Sequence, residues 1–312
     1  FDDPDVIAGQ GTVAVELVRQ AQQPLDYVFV CCGGGGLLAG MAAYLRYVWP
    51  QTRIIGVEPE DAACVQAALD KGRRVTLSEV GLFADGCAAH YNFSRQAQDE
   101  YALTSLSRAK AAIASGAFKN EITPVTIPTR KGDVVVDTDE QPSNAMPDKI
   151  PLLKPAFGKD GTVTAANASS ISDGGAALLV MKASEAKKRG LTPLVKILAH
   201  SVHARAPQWF TTAPVGAIQN VLDKIGFNAN DIDLYEINEA FAVVTMAAMR
   251  EVDLSHDKVN IRGGACALGH PIGATGSILV GTALDELERQ RGRYALITMC
   301  AAGGMAPAII IE

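Results

Sequence analysis

The sequence predicts an α/β chain in two pieces: a partial βαβ parallel-sheet unit, then a longer part built on a mixed sheet. Three observations carry that expectation. Helical and strand patterns alternate from Phe1 to about Gly86 around the run Gly33-Gly34-Gly35-Gly36. The alternation resumes at Thr162 and continues to the end. Two glycine-rich segments, Gly264-Ala265-Cys266-Ala267-Leu268-Gly269-His270-Pro271 and Met299-Cys300-Ala301-Ala302-Gly303-Gly304, set a histidine and a cysteine at the ends of predicted elements.

In chain order, Val13 to Gln22 is amphipathic and predicts a helix. Tyr27 to Val30 reads as a buried strand feeding the glycine run and a helix over Leu37 to Val48. Arg53 to Glu58 is the next strand and Ala62 to Leu69 the next helix, which makes a parallel βαβ unit. A seam is expected at Asp85 to Tyr91. Beyond it Ser94 to Ser115 is helical, with Ser94 and Gln98 framing its start and Gly116 ending it. Pro124 to Ile127 and Asp133 to Asp137 form a hairpin around Arg130-Lys131-Gly132, and Gln141 to Pro155, with four prolines, is a surface loop. Then follow helices at Asp173 to Leu179, Ala217 to Ile225, Ala240 to Arg250 and Gly276 to Gln290. Strands are expected at Val195 to His200, Leu234 to Ile237, Val259 to Ile261, Tyr294 to Cys300 and Met305 to Glu312.

Composition narrows the class. Of 312 residues 48% are hydrophobic and 20% charged, which fits a globular chain with a large core. A formal charge of −6 leaves no basic surplus for a phosphate backbone, so nucleic acid is excluded as a partner. The six cysteines form neither a CxxC pair nor a disulfide framework, which predicts a reducing cytoplasm. Tyr27 to Leu45 and Tyr294 to Ile311 are uncharged enough to raise the question of a membrane span. Their glycines and Pro307 point instead to buried strands and turns, so no membrane is expected. The chain opens at Phe1 without methionine, basic n-region or signal peptide, and is expected to be truncated upstream and untargeted.

Four glycines between a strand and a helix free consecutive backbone N–H groups for an anionic group at the helix N-terminus. With Phe1-Asp2-Asp3-Pro4-Asp5-Val6-Ile7-Ala8-Gly9-Gln10-Gly11-Thr12 and Gly81-Leu82-Phe83-Ala84-Asp85-Gly86, the loop resembles the middle of a biosynthetic threonine dehydratase, a fold-type-II pyridoxal phosphate (PLP) enzyme. The resemblance implies a phosphate site at Gly33, Gly34, Gly35, Gly36 and Leu37, without a matching Schiff-base lysine. Cys31 and Cys32, at the end of a strand, read as core cysteines.

Chemistry next to a thioester needs a base for the α-proton, a partner that tunes it and donors for an enolate oxygen. Cys300, His270 and Asn238 of Asn238-Glu239-Ala240-Phe241-Ala242 supply those residue types. In this order the three motifs resemble the thiolases, acetyl-CoA acetyltransferases and 3-ketoacyl-CoA thiolases, from about Ala88 to Glu312. Ser94 to Asp99, Lys131-Gly132-Asp133, Thr164 to Ser169 and Asp173-Gly174 belong to the same match. The resemblance implies that Cys300 moves the α-proton, that His270 activates the nucleophilic thiol and helps line an oxyanion hole, and that Asn238 holds a water. It also implies that Ser169 touches the pantetheine arm of coenzyme A and that the backbone of Ala302, where many members have glycine, faces an oxyanion. Ser143 falls where an arginine near the nucleotide is common. Acyl-CoA and coenzyme A are then the substrates, with no further cofactor for this part.

On this reading residues 1–86 form a partial dehydratase-like domain, 87–190 the coenzyme A-binding loop region and 191–312 the thiolase C-terminal catalytic domain. The acyl-accepting cysteine is expected to belong to a missing N-terminal half. Cys32-Gly33 before a helix resembles that nucleophile but is read as coincidence. An exposed half-interface predicts a homo-oligomer or aggregate. Two rival readings stay open: a dehydratase fragment, and a non-catalytic fusion or coenzyme A-binding fragment. His200 and His203, three apart on a predicted strand, fall on opposite faces and are not read as a metal pair.

Overall fold

Alternate residues of β1 (Tyr27–Cys31) face opposite ways: Val28 and Val30 are buried, while Tyr27 and Phe29 are exposed. The computed structural model describes residues 4–21, 23–31, 35–57, 69–70 and 79–312. Its contacts divide the chain into two units, Phe1–Glu79 and Val80–Glu312.

In the first unit β1 pairs in parallel with β2 (Arg53–Val57), from Tyr27 opposite Arg53 to Cys31 opposite Val57. The helix between them, α2 (Gly36–Val48), packs against α1 (Pro4–Ala21) and the inner face of β1 through Ala14, Met41, Leu45 and Trp49. The two helices meet at glycines: a Cβ on Gly40 would lie 2.2 Å from the Ile7 carbonyl oxygen and 2.7 Å from the Gly11 nitrogen. The expected parallel βαβ unit is therefore present. The expected helix over Ala62 to Leu69 lies outside the described residues, apart from Leu69 itself.

All but the first residue of α3 (Glu79–Tyr91) belongs to the second unit, and the helix runs unbroken through the segment expected to be a seam. The carboxylate of Asp85 accepts from the backbone N–H groups of Thr162 (2.8 Å) and Val163 (2.9 Å), pinning the loop before Thr164 onto α3. Helix α4 (Arg95–Ser115) begins at Ser94, whose Oγ accepts from the Ala97 N–H, and ends at left-handed Gly116. Gln98 Nε2 donates to the Phe93 (3.2 Å) and Ser94 (3.4 Å) carbonyls at the helix start as well as to Thr162 Oγ1 (2.8 Å). The exposed hairpin β3 (Val125–Ile127) and β4 (Val134–Val136) follows as expected. The loop expected over Gln141 to Pro155 instead contains a short helix, α5 (Gln141–Asn144), and a 3₁₀ turn at Pro147–Leu152, because prolines early in each turn give up N–H groups that need no helical partner. Residues 173–179 are not helical. Their glycines Gly174 and Gly175 disfavour a helix, and Pro271 leaves no room for a Cβ on Gly174.

The main sheet runs β5-β8-β7-β6, with β5 (Ile197–Ala204), β6 (Leu234–Ile237), β7 (Ala295–Thr298) and β8 (Met305–Ile311). β8 is antiparallel to both neighbours and β6 is parallel to β7, the mixed sheet that was expected. Every residue of β6 and β7 is buried because helices cover both faces. Tyr235, Ile237, Leu296, Ala308 and Ile310 pack toward α7 (Ala213–Ile225), while Leu234, Ala295, Ile297 and Ile311 pack toward α10 (Ile272–Gln290). In the chain α6 (Ala183–Lys188) precedes α7, and α8 (Ala242–Val252) and α9 (Ala265–Leu268) lie between α7 and α10. Val259 makes one isolated bridge to Tyr235 instead of the expected strand, since left-handed Asn260 turns the chain away. Tyr294 to Ile311 is thus two strands and a turn, and among the described residues no helix is long and apolar enough to cross a membrane.

Replacing Gly40 with valine is expected to destabilise the α1–α2 packing by about 1–3 kcal/mol through overpacking. Hydrogen exchange of α1 amides in the full chain reads this out. Faster exchange confined to α1 and α2 is the expected result, and unchanged protection would contradict the close approach.

Candidate active site

β6 and β7 are parallel neighbours with Ile237 opposite Thr298, so Asn238 and the Met299–Cys300 segment leave the same edge of the sheet. The Asn238 N–H donates to the Thr298 carbonyl at 3.0 Å, which fixes the two exits together. Cys300 is 5% exposed and sits among Phe241, Ala168, Val163, Phe210 and Cys87. Burial pushes its thiol up to about 12, so it rests as a protonated thiol. After it, Gly303 and Gly304 adopt positive φ to turn the chain into β8. A Cβ on Gly304 would meet the Arg205 carbonyl oxygen at 2.0 Å, so glycine is required there. Ala302 is exposed on this turn and is not among the positive-φ residues, so its Cβ brings no backbone strain.

His270 stands between α9 and α10. Its N–H donates to the Ser170 carbonyl at 3.1 Å. The ring is held at both nitrogens, with Nδ1 2.7 Å from Thr275 Oγ1 and Nε2 3.3 Å from Asn238 Nδ2. Burial lowers its pKa below the ordinary 6.5, which favours the neutral imidazole. A crosspiece from Asn167 to Ile171 links the two motifs. Asn167 accepts at its carbonyl from the Ala242 N–H (2.8 Å), Ser169 donates from both N–H (3.0 Å) and Oγ (3.1 Å) to the Ala240 carbonyl, and Ile171 bridges to His270. The structure thus joins Asn238, His270 and Ser169 through bonded segments and sets Cys300 beside Phe241 and Ala168 of the same framework.

Sequence reasoning did not single out Glu239, which is 1% exposed. Its carboxylate accepts from Tyr101 Oη (2.8 Å), Ser105 Oγ (2.7 Å), Asn260 Nδ2 (3.0 Å) and the Cys266 N–H (3.0 Å). A Cβ on Gly264 would lie 2.4 Å from the Glu239 carboxyl carbon, which explains the glycine before α9. An acidic residue directly after Asn238 in an otherwise apolar stretch was the available signal, since a buried carboxylate demands donors.

Beside the crosspiece, a cavity of about 300 Å³ is lined by Ala102, Leu106, Ala165, Ala166, Ile150 and Lys149. Ser143 is exposed on α5, where its Oγ donates to the Glu140 carbonyl at 2.7 Å. In the first unit, Gly33 and Gly34 lie outside the described residues. Left-handed Gly35 caps α2, Gly36 is buried and Leu37 packs onto the core around Val30.

Two family models match: the thiolase N-terminal domain over residues 29–184 and the thiolase C-terminal domain over 191–312. The chain is 39% identical over 308 residues to the acetyl-CoA acetyltransferase of Thiocystis violacea, covering 98% of this chain and 77% of that protein. It is 42% identical over 289 residues to a beta-ketothiolase of Cupriavidus necator, covering 91% and 72%. The crystal structure of the Bacillus anthracis acetyl-CoA acetyltransferase superposes with a TM-score of 0.73 at 30% identity, covering 98% of this chain and 92% of that one.

These matches overturn two expectations. Residues 1–86 are not a threonine dehydratase fragment and the chain is not a chimera, because thiolase relatives match through 98% of it and the N-terminal domain model enters at residue 29. A parallel βαβ unit with glycines before its helix occurs in many α/β proteins, and residues 1–86 hold no lysine matched to a Schiff base. The pyridoxal phosphate reading of Gly33, Gly34, Gly35, Gly36 and Leu37 falls with it. Nor is the N-terminal half missing, since its domain model matches 29–184.

Replacing Glu239 with glutamine puts an N–H₂ against groups that already donate, and is expected to cost at least about 2 kcal/mol. Denaturant unfolding tests this; a midpoint equal to wild type would contradict the role given to the carboxylate. The chain belongs to the thiolase family of enzymes.

Proposed function

We propose that the chain is an acetyl-CoA acetyltransferase, using coenzyme A thioesters as substrates and no separate cofactor. The observation that carries this reading is the His270 ring, neutral and held at both nitrogens, on the same framework as Asn238 and Cys300. In the thiolytic direction, coenzyme A thiol and a 3-ketoacyl-CoA give two shorter thioesters. His270 takes the proton of the attacking thiol, and the thiol of Cys300 returns a proton to the α-carbon of the departing enolate. The resting form of Cys300 is the protonated one that this step needs. Asn238 Oδ1 is buried without a partner and is suited to accept from a water at the oxyanion. The backbone of Ala302 and the hydroxyl of Ser169 are assigned to the oxyanion and the pantetheine arm.

The cavity beside Ala165 and Ala166 is assigned to the nucleotide end, with exposed Lys149 on its rim supplying the cation that Ser143 does not. The acyl acceptor belongs to residues 29–184, which contain Cys31, Cys32, Cys64 and Cys87. A longer-chain 3-ketoacyl-CoA thiolase is the second reading, favoured by the likeness to the human mitochondrial enzyme of that name at 27% identity and a TM-score of 0.70. Free thiols at Cys87, Cys266 and Cys300 support a cytoplasmic setting, and exposed Ile171, Leu179 and Leu194 support association of copies.

Thiolysis of acetoacetyl-CoA tests the reading. Cys300→Ala and His270→Ala are expected to lower kcat at least about a hundredfold, and wild-type rates in either would overturn the assignment. Lys149→Ala is expected to raise KM for the thioester several-fold at unchanged kcat. Protonation of His270 removes the base, so kcat/KM is present above its pKa and lost as pH falls through it. Because that pKa is lowered, the acid limb is expected below 6.5; a limb centred above 6.5 would contradict the buried neutral ring.

A further inference from the structure

Thr275 is 3% exposed, one turn into α10 and directly beside the His270 ring. Its hydroxyl has one proton and two lone pairs. That proton is given to the Pro271 carbonyl at 3.0 Å, so the oxygen is an acceptor toward His270 Nδ1 at 2.7 Å. Nδ1 then carries the ring proton. Nε2 is left with a bare lone pair, to which the Asn238 amide donates at 3.3 Å. Each contact fits one direction of donation, from Asn238 through the ring and Thr275 to Pro271.

We propose that Thr275 is a positioning residue that locks His270 in the Nδ1–H tautomer, leaving Nε2 as the sole basic nitrogen. The inference rests on the assignment of His270 as the base. It adds what orients that base: without the Thr275 acceptor the buried Nδ1–H loses its partner, and the ring can place its proton on Nε2, where it takes no proton from a thiol. Thr275 acts through His270 and touches no reacting atom. Burial, which holds the ring neutral, makes the choice of tautomer matter across the working pH range.

The experiment uses the full chain labelled with ¹⁵N-histidine, with long-range ¹H–¹⁵N spectra at pH 8 of wild type, Thr275→Val and Thr275→Ser; His270→Asn assigns the ring. Wild type and Thr275→Ser are expected to show Nδ1 protonated and Nε2 bare. Thr275→Val is expected to show the Nε2–H form or a mixture, and to lose kcat for thiolysis at least about tenfold with KM within about twofold. A wild-type spectrum with Nε2 protonated would overturn the proposal, because the Asn238 amide would then have to be turned over and Thr275 would donate to Nδ1. A Thr275→Val chain that keeps the Nδ1–H form would overturn it as well, whatever its kcat. The spectrum of wild type decides the tautomer even if the chain does not turn over acetoacetyl-CoA, so the two readings fail separately.

Discussion

One buried carboxylate sets the frame of the site. Glu239 draws four donors from α4, from the Asn260 turn and from the start of α9, and all four must be satisfied in place because the group is cut off from water. The cost of burying the charge is offset only if those elements stay where they are. Asn238 precedes this anchor by one residue, and the helix that leads into His270 begins on it. Burial raises the pKa of neighbouring Glu236 well above the ordinary carboxylate range, with the charge of Glu239 adding to the shift, so Glu236 is held neutral.

The sheet then does the aiming. Parallel strands β6 and β7 deliver Asn238 and Cys300 from one edge, and the Asn167–Ile171 crosspiece stitches the segment after Asn238 to the one at His270. Rigid supports of this kind hold the His270 ring against the Asn238 amide, and Cys300 beside Phe241 and Ala168, without long loops to order. Asp85 extends the same logic outward, holding the loop before Thr164 onto α3 by backbone N–H groups.

Much of this was legible in the sequence. The strands Leu234 to Ile237 and Met305 onward, the cap at Ser94 and the stop at Gly116 follow from periodicity and cap chemistry, and the structure keeps them. The three motifs at Asn238, His270 and Cys300 carried the family. Long-range partners were not legible: that Thr275 and Asn238 share one ring, or that Glu239 meets Ser105, depends on contacts that only the fold creates. A helix is expected over Asp173 to Leu179, yet Gly174 and Gly175 and the neighbouring Pro271 prevail. The glycine run at Gly33 misled for a related reason. A strand, a glycine turn and a helix describe local backbone and not the chemistry performed there, so residues 1–86 were given to the wrong family.

The whole chain, and not its C-terminal part alone, is expected to carry out the thiolase reaction. Rapid quench with radiolabelled acetyl-CoA, followed by peptide mapping, tests it most directly. About one acetyl group per active chain is expected, carried as a thioester on a cysteine within residues 29–184 and still formed when Cys300 is replaced. Absence of any acetyl-enzyme, or a label confined to Cys266 or Cys300, would contradict it.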